Sequence, residues 1–276
     1  MKASSLEKAL LFRFPRKRRI AHVIALVVAL WIVSAYAVLP IIWRHYEGAP
    51  ALDGQPMVTR TTAGIPGDPI NIAFIGSEMD VVCAFHAAGW RSANAVTLAS
   101  SIRIVGSIVL GRPDPAAPVS PLIYEGRPED LAFEKPDGDS ADRRHHIRLW
   151  RINAAGDSHR LVWVGAATFD RGVGVSRYTL QVTHHIAADI DAERDFVVAD
   201  LSKVGMITHT LEAAGIGPTL NGRNGGGDRY FTDGEIVVAA LSGACSAQPP
   251  ATPAVIPPPT VVRWKDALWR ALKPWM

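Results

Sequence analysis

From position 20 to position 43 the sequence has no Asp, Glu, Lys or Arg. The stretch reads IAHVIALVVALWIVSAYAVLPIIW, too long and too uniformly apolar for the surface of a soluble domain. As a helix rising about 1.5 Å per residue it would reach roughly 36 Å, enough to cross a bilayer core with some tilt. Cysteine is nearly missing too: Cys83 and Cys245 are the only two. That excludes a disulfide-dense scaffold and any Cys-x-x-Cys metal or redox pair. It leaves one bridge, which an oxidising compartment permits, or two buried thiols acting as small apolar residues. Catalytic signatures are absent as well. There is no HExxH, no phosphate loop ending in Lys-Ser/Thr, and no nucleophile elbow around Ser176 or Ser202. These gaps leave zincin, P-loop and serine-hydrolase chemistry without support, and no cofactor is expected. No internal repeat is visible.

What is present is charge at the two ends. The net charge is +3, but residues 1–19 hold seven basic residues against Glu7, and residues 260–276 hold four against Asp266. With Arg44 and Glu47 cancelling, residues 48–259 carry a net −6. A domain of that sign repels phosphate backbones, so nucleic acid is not an expected partner. Basic residues crowd the N-terminal flank of the apolar run, whereas Arg44 stands nearly alone beyond it. The positive-inside rule then puts the N-terminus in the cytoplasm and the rest outside the inner membrane. A cleaved signal peptide is the competing reading, since Ala35-Tyr36-Ala37 fits a small-x-small site. Either way the domain is exported.

The organisation read from the chain is a basic tail (1–19), a transmembrane helix (20–43), a Gly/Pro/Thr-rich linker (44–69), an exported domain (70–245), a Pro-rich spacer (246–259) and a C-terminal helix (260–276). Within the domain, 70–75 reads as a buried strand, and Ser77 is the N-cap of a helix carrying Val81, Phe85 and Ala88. A second helix is expected at 95–105, after which a Pro-rich turn at 113–121 gives way to strands. Residues 145–151 alternate, with His146, Arg148 and Trp150 on one face and Ile147 and Leu149 on the other. Further strands are expected at 161–168, 176–183 and 235–241, and a helix at 192–204 closed by Gly205. The whole predicts an α+β fold with a mixed or largely antiparallel sheet and packed helices, preceded by one N-terminal transmembrane helix. Beyond the spacer, Trp264, Leu268, Leu272 and Trp275 fall at helical spacing among basic residues. That composition suits an interfacial membrane helix, and equally a helix docked on its own domain.

Taken in order, these segments resemble the C-terminal domain of LssY-type proteins, from about residue 70 to 241. The resemblance rests on PVSPLIY (118–124) with GRPEDLAF (126–133), RHHIRLW (144–150), WVG (163–165) with Asp170, THHI (183–186), DID (189–191) with Arg194, and GDRYFTDG (227–234). Glu129 stands where Gln is expected, and Arg171 where the family has an apolar residue. The resemblance implies a bacterial envelope protein with a loose link to lipid metabolism, because related domains are fused to lipid-phosphatase-like membrane modules. It carries no mechanism.

Candidate ligand-binding residues are Arg127, Arg148, Arg194 and Asp130, since guanidinium forks pair with phosphate or carboxylate through two parallel hydrogen bonds. Each arginine has a plainer reading as a structural ion pair with a nearby aspartate. Candidate catalytic residues are His146, Arg148, His184 and Asp191, because an imidazole beside an arginine suits proton transfer. Asp189 and Asp191 also read simply as the start of a helix, and Gly225-Gly226-Gly227-Asp228 as a turn. A metal centre would need His146, His184 and a carboxylate to converge, and no ligand spacing supports one. The expectation is an anchored envelope protein whose exported domain binds an anionic lipid, glycan or protein partner. The alternative is a phosphatase-like hydrolase of an envelope substrate.

Overall fold

The computed structural model describes residues 16–93, 121–138, 143–155, 161–180, 182–216 and 221–275. The expected helix at 95–105 and most of the Pro-rich turn lie outside them. The chain divides into two units, Met1–Tyr46 and Glu47–Met276.

In the first unit, α1 (Arg16–Val33) and α2 (Leu39–Tyr46) are joined by a π-helical turn, Ser34–Val38. Pro40 explains the turn: it lacks an N–H and its ring crowds the carbonyl one turn earlier, so the ladder widens just ahead of it. The helical run from Arg18 to Tyr46 is long and apolar enough to cross a membrane, and none of its apolar window is buried. It fits a single-pass anchor.

The second unit is α+β. Its main sheet is built from β3 (Ile72–Ile75), β4 (Arg91–Ser92), β7 (Leu131–Pro136), β8 (Arg144–Ala155), β9 (Leu161–Val175), β10 (Val182–Ile186), β11 (Ile207–Ala214), β14 (Glu235–Leu241) and β15 (Ala254–Val255), while β12 (Gly222–Arg223) and β13 (Arg229–Tyr230) pair separately. The spatial order is β15-β11-β14-β3-β9-β8-β7-β4, with β10 also paired to β9. Only β14·β3 and β11·β15 pair in parallel, so the sheet is largely antiparallel. Two helices, α3 (Glu78–Ala87) and α4 (Ile190–Lys203), cover one face. Ser77 and Asp80 form a capping box on α3, and Asp189 caps α4 by accepting the Ala192 N–H. Gly205, at φ +68°, turns the chain out of α4 where a Cβ would be strained. Beneath the helices Phe74, Phe85, Trp90, Phe133, Leu149 and Trp163 make the larger core.

The opposite face carries a second core around Leu122, Tyr124, Trp150, Ile152, Val164 and Ile236. A four-stranded sheet lies there, ordered β2-β1-β5-β6: β1 (Val58–Thr61), β2 (Pro66–Pro69), β5 (Leu122–Tyr124) and β6 (Arg127–Pro128). Two of these strands fall in 44–69, read above as linker. Proline at both ends of β2 hides the strand pattern, yet Pro is tolerated on an edge strand. The strand expected at 176–183 also differs. β9 continues to Val175, and a turn follows in which Ser176 Oγ accepts the N–H groups of Tyr178 and Thr179. The Pro-rich segment runs along the sheet edge, with Ile256 N–H donating to the Thr210 carbonyl.

Cys83 and Cys245 form a disulfide joining α3 to the segment after β14, across 162 residues. In the chain-entropy view a loop that long contributes about 5 kcal/mol.

Candidate functional site

On β8 the even-numbered side chains share one face. Trp150 and Ile152 go into the second core, while Arg148, His146 and Arg144 continue the same stripe beyond it. Opposite them on β9 stand Ala166, Thr168 and Asp170, in direct register. Alternation thus lines two polar pairs, Arg144 with Asp170 and His146 with Thr168, along one buried strip, with Arg148 opposite the small Ala166. At its end lies a cavity of about 250 Å³, lined by Arg144, His146, Arg148, Asp170, His184 and Asp68 among others. Hydroxyls from Thr61, Ser176 and Thr183 complete the wall, with Asn224 and Gly225 closing one side. A Cβ on Gly225 would sit 2.3 Å from Thr61 Cγ2, so only glycine lets this loop approach so closely.

Arg144 is anchored on both sides. Its Nη1 donates to Glu134 at 2.8 Å and its Nε to Asp170 at 3.0 Å. His146 is fixed by donors: Arg148 Nη1 lies 2.9 Å from its Nε2, and Thr168 Oγ1 lies 2.8 Å from the same atom. A guanidinium can only donate, so this contact suits the tautomer with a lone pair on Nε2 and the proton on Nδ1. That Nδ1 faces Asp170 Oδ1 at 3.1 Å, outside good hydrogen-bond alignment. Burial alone would raise the Asp170 pKa, but His146, His184 and Arg144 outweigh it and hold the carboxyl well below its ordinary range. His184 comes from β10, half-buried, with Nε2 3.4 Å from Arg144 Nη2. Burial, reinforced by that arginine and only partly offset by Asp170, lowers its pKa from 6.5 to about 4. At neutral pH the His184 ring is therefore uncharged.

Arg148 is different from its neighbours. Its side chain is 7% exposed, and its nearest carboxylate, Asp68, stands 3.4 Å away. Asp68 also accepts from Asn224 at 3.1 Å. The Arg148 Nε is buried with no hydrogen-bond partner among the described residues. A buried cation so loosely paired is costly unless something else completes it.

The structure therefore brings His146, Arg148 and His184 to one cavity. Asp191 is not with them. It accepts the Asp233 N–H at 2.9 Å and flanks Arg194, which grips both Asp233 oxygens at 2.9 and 3.0 Å. Burial, with Asp233 adding to it against Arg194, raises the Asp191 pKa to about 6. Arg127 and Asp130 pair with each other near the surface and brace the turn before β7 through Arg151. The second histidine of each pair faces away from the cavity: His145 stacks on Phe196 and bonds Glu193, and His185 bonds Asp228. Sequence reasoning passed over Arg144, Asp68 and Asn224 as site residues. Arg144 could have been found by extending the alternating stripe two residues back. Asp68 and Asn224 carry no local signal, lying 80 and 156 residues from their partners Arg148 and Asp68.

Fold and site together define an α+β domain with one polar, arginine-lined cavity, behind a helix fit to span a membrane. The chain belongs to the LssY C-terminus family, whose model matches residues 52–236. No curated protein and no solved structure matches it.

Proposed function

We propose that the domain from Glu47 onward stands on the exported side of the membrane and binds an anionic group, a phosphate or carboxylate of an envelope lipid or glycan, in the cavity beside Arg148. Two features support export. The cationic flank ahead of the anchor resists crossing. The Cys83–Cys245 bridge belongs to an oxidising compartment.

Arg148 carries the binding reading. It is buried, weakly paired, and lines the cavity of about 250 Å³. An anion there would take the guanidinium edge that no protein group uses, with threonine and serine hydroxyls nearby as further donors. Most of the domain's negative charge lies outside the cavity, where solvent screens it, and the two carboxylates in the wall, Asp68 and Asp170, each face an arginine. Hydrolysis is the weaker reading. His146 already spends its lone pair on Arg148 and Thr168, and a histidine with a pKa near 4 is a poor base at neutral pH.

The test is calorimetric titration of the full chain in detergent micelles with glycerol phosphate and with glucuronate, using glycerol and glucose as uncharged controls. Saturable binding of an anion, lost in Arg148→Gln, is expected. Equal absence of binding for all four compounds overturns the proposal. Turnover of a phosphate ester that falls in His146→Ala would revive the hydrolase instead.

A further inference from the structure

The C-terminal helix, α5 (Thr260–Leu272), is docked with the wrong face outward. A helix lying on a soluble domain normally buries its apolar stripe and exposes its charges. Here Val262 and Trp269 are buried, but Lys265 and Asp266 also point inward, toward a cluster of acids. Lys265 Nζ binds Glu47 at 2.5 Å and also Glu235, and Glu212, Glu235 and Asp266 lie within 4.8 Å of one another. The outward positions are Trp264, Ala267, Leu268, Ala271 and Leu272, spaced i, i+3, i+4, i+7 and i+8, and Trp275 follows in a short 3-10 turn, Lys273–Trp275. Trp264, Leu268 and Trp275 are 73%, 62% and 88% exposed. Arg263 and Arg270 flank this stripe, both exposed. Two tryptophans, aliphatic residues between them and arginines at the border are the surface of a helix that lies in a lipid interface.

The place of the helix points the same way. Glu47, the residue that Lys265 grips, follows Tyr46 directly, and Tyr46 ends the membrane-spanning helical run. Three residues lie between Trp43 and Glu47, so four peptide steps span at most roughly 14 Å however the chain bends. α5 is thus fastened to the point where the chain leaves the bilayer, whichever side that is. We propose that the outward stripe of α5 lies in the adjacent leaflet as a second membrane contact, the arginines meeting lipid phosphates. Anchor and foot together would hold the domain at a fixed distance from the headgroups. The proposal does not depend on the cavity or on its ligand.

It is tested on the full chain in vesicles of phosphatidylethanolamine and phosphatidylglycerol. Nitroxide labels are placed at Ala267→Cys and Ala271→Cys, with Arg91→Cys on the opposite edge strand as the reference; the native cysteines are bridged and do not react. Collision rates with oxygen and with a water-soluble nickel chelate are then compared. The oxygen-to-nickel ratio at 267 and 271 should exceed that at 91 several-fold. In a Trp264→Glu, Leu268→Glu background it should fall to the reference value. Ratios equal to the reference in the native background mean a stripe in water and overturn the proposal. Exclusion of both reagents at 267 and 271 means cover by protein, a second copy for instance, and overturns it as well.

Discussion

Arg148 and Arg194 are equally buried, each with a side chain 7% exposed, yet their surroundings differ. Arg194 sits among carboxylates: a two-pronged bond to Asp233, one to Asp195, and a carbonyl from Glu235. Burial alone would lower its pKa, and those acids raise it above the ordinary value instead. Arg148 has the His146 ring at 2.9 Å, a shared carboxylate at 3.4 Å and an Nε without a partner among the described residues. The first arginine locks α4 to the loop before β14. The second faces open space. The shortfall at Arg148 is what the proposed anion would make up.

The comparison can be broken at either arginine. Arg194→Ala leaves Asp191 and Asp233 buried without their cation, and should cost about 3–5 kcal/mol by denaturant titration. Such a loss with ligand affinity unchanged would assign it to structure. Next comes acid. The His184 pKa is about 4 folded against 6.5 ordinarily, so the unfolded chain takes the proton first as pH falls. Stability from this group is full above pH 6.5 and is lost between there and pH 4, on the order of 3 kcal/mol. The Asp191 carboxyl, raised to about 6, works in the opposite direction, so the readable quantity is the difference between the native chain and His184→Asn. That variant should lose less stability on acidification, followed by thermal unfolding at stepped pH. An anion bound beside His184 would favour its protonated form, so glucuronate affinity should tighten as pH falls from 5.5 toward the free-state pKa near 4.

Arg148→Gln should shift unfolding by less than about 1 kcal/mol, because a loosely paired buried charge contributes little to the fold. Its effect belongs in binding. Arg127→Ala removes an exposed pair, should cost less than about 1 kcal/mol, and should leave binding alone. If Arg148→Gln destabilised the domain as strongly as Arg194→Ala, the distinction between the two arginines would disappear.

Parts of this were readable before any coordinates. Alternation at 145–151 fixes which β8 side chains share a face, because the strand period is two whatever the neighbours are. Ser77, Asp189 and Gly205 announce helix ends by chemistry that acts within three or four residues. Where partners are distant the signal disappears. β1 and β2 were hidden in a Gly/Pro-rich stretch, since strand pairing there depends on β5, some sixty residues on. The end of β9 was misplaced because Val, Tyr and Thr read as strand, whereas Ser176 turns the chain back with its hydroxyl. His146 and Arg148 stood out through their own stripe. That Arg148 lacks a firm counterion was invisible, because Asp68 and Asn224 reach the cavity from other elements. Asp191 and Arg194 looked equally promising in sequence, and only their saturation by Asp233 sets them apart.

Nitrogen-15 NMR of the arginine Nε–H groups tests the central contrast most directly. Assigned through Arg148→Lys and Arg194→Lys, the two resonances are followed as glycerol phosphate is added to the full chain. The Arg148 signal should shift progressively and reach a plateau at saturation, while Arg194 stays where it was. An Arg148 signal unmoved by the anion, or one that moves no more than Arg194, would contradict the account.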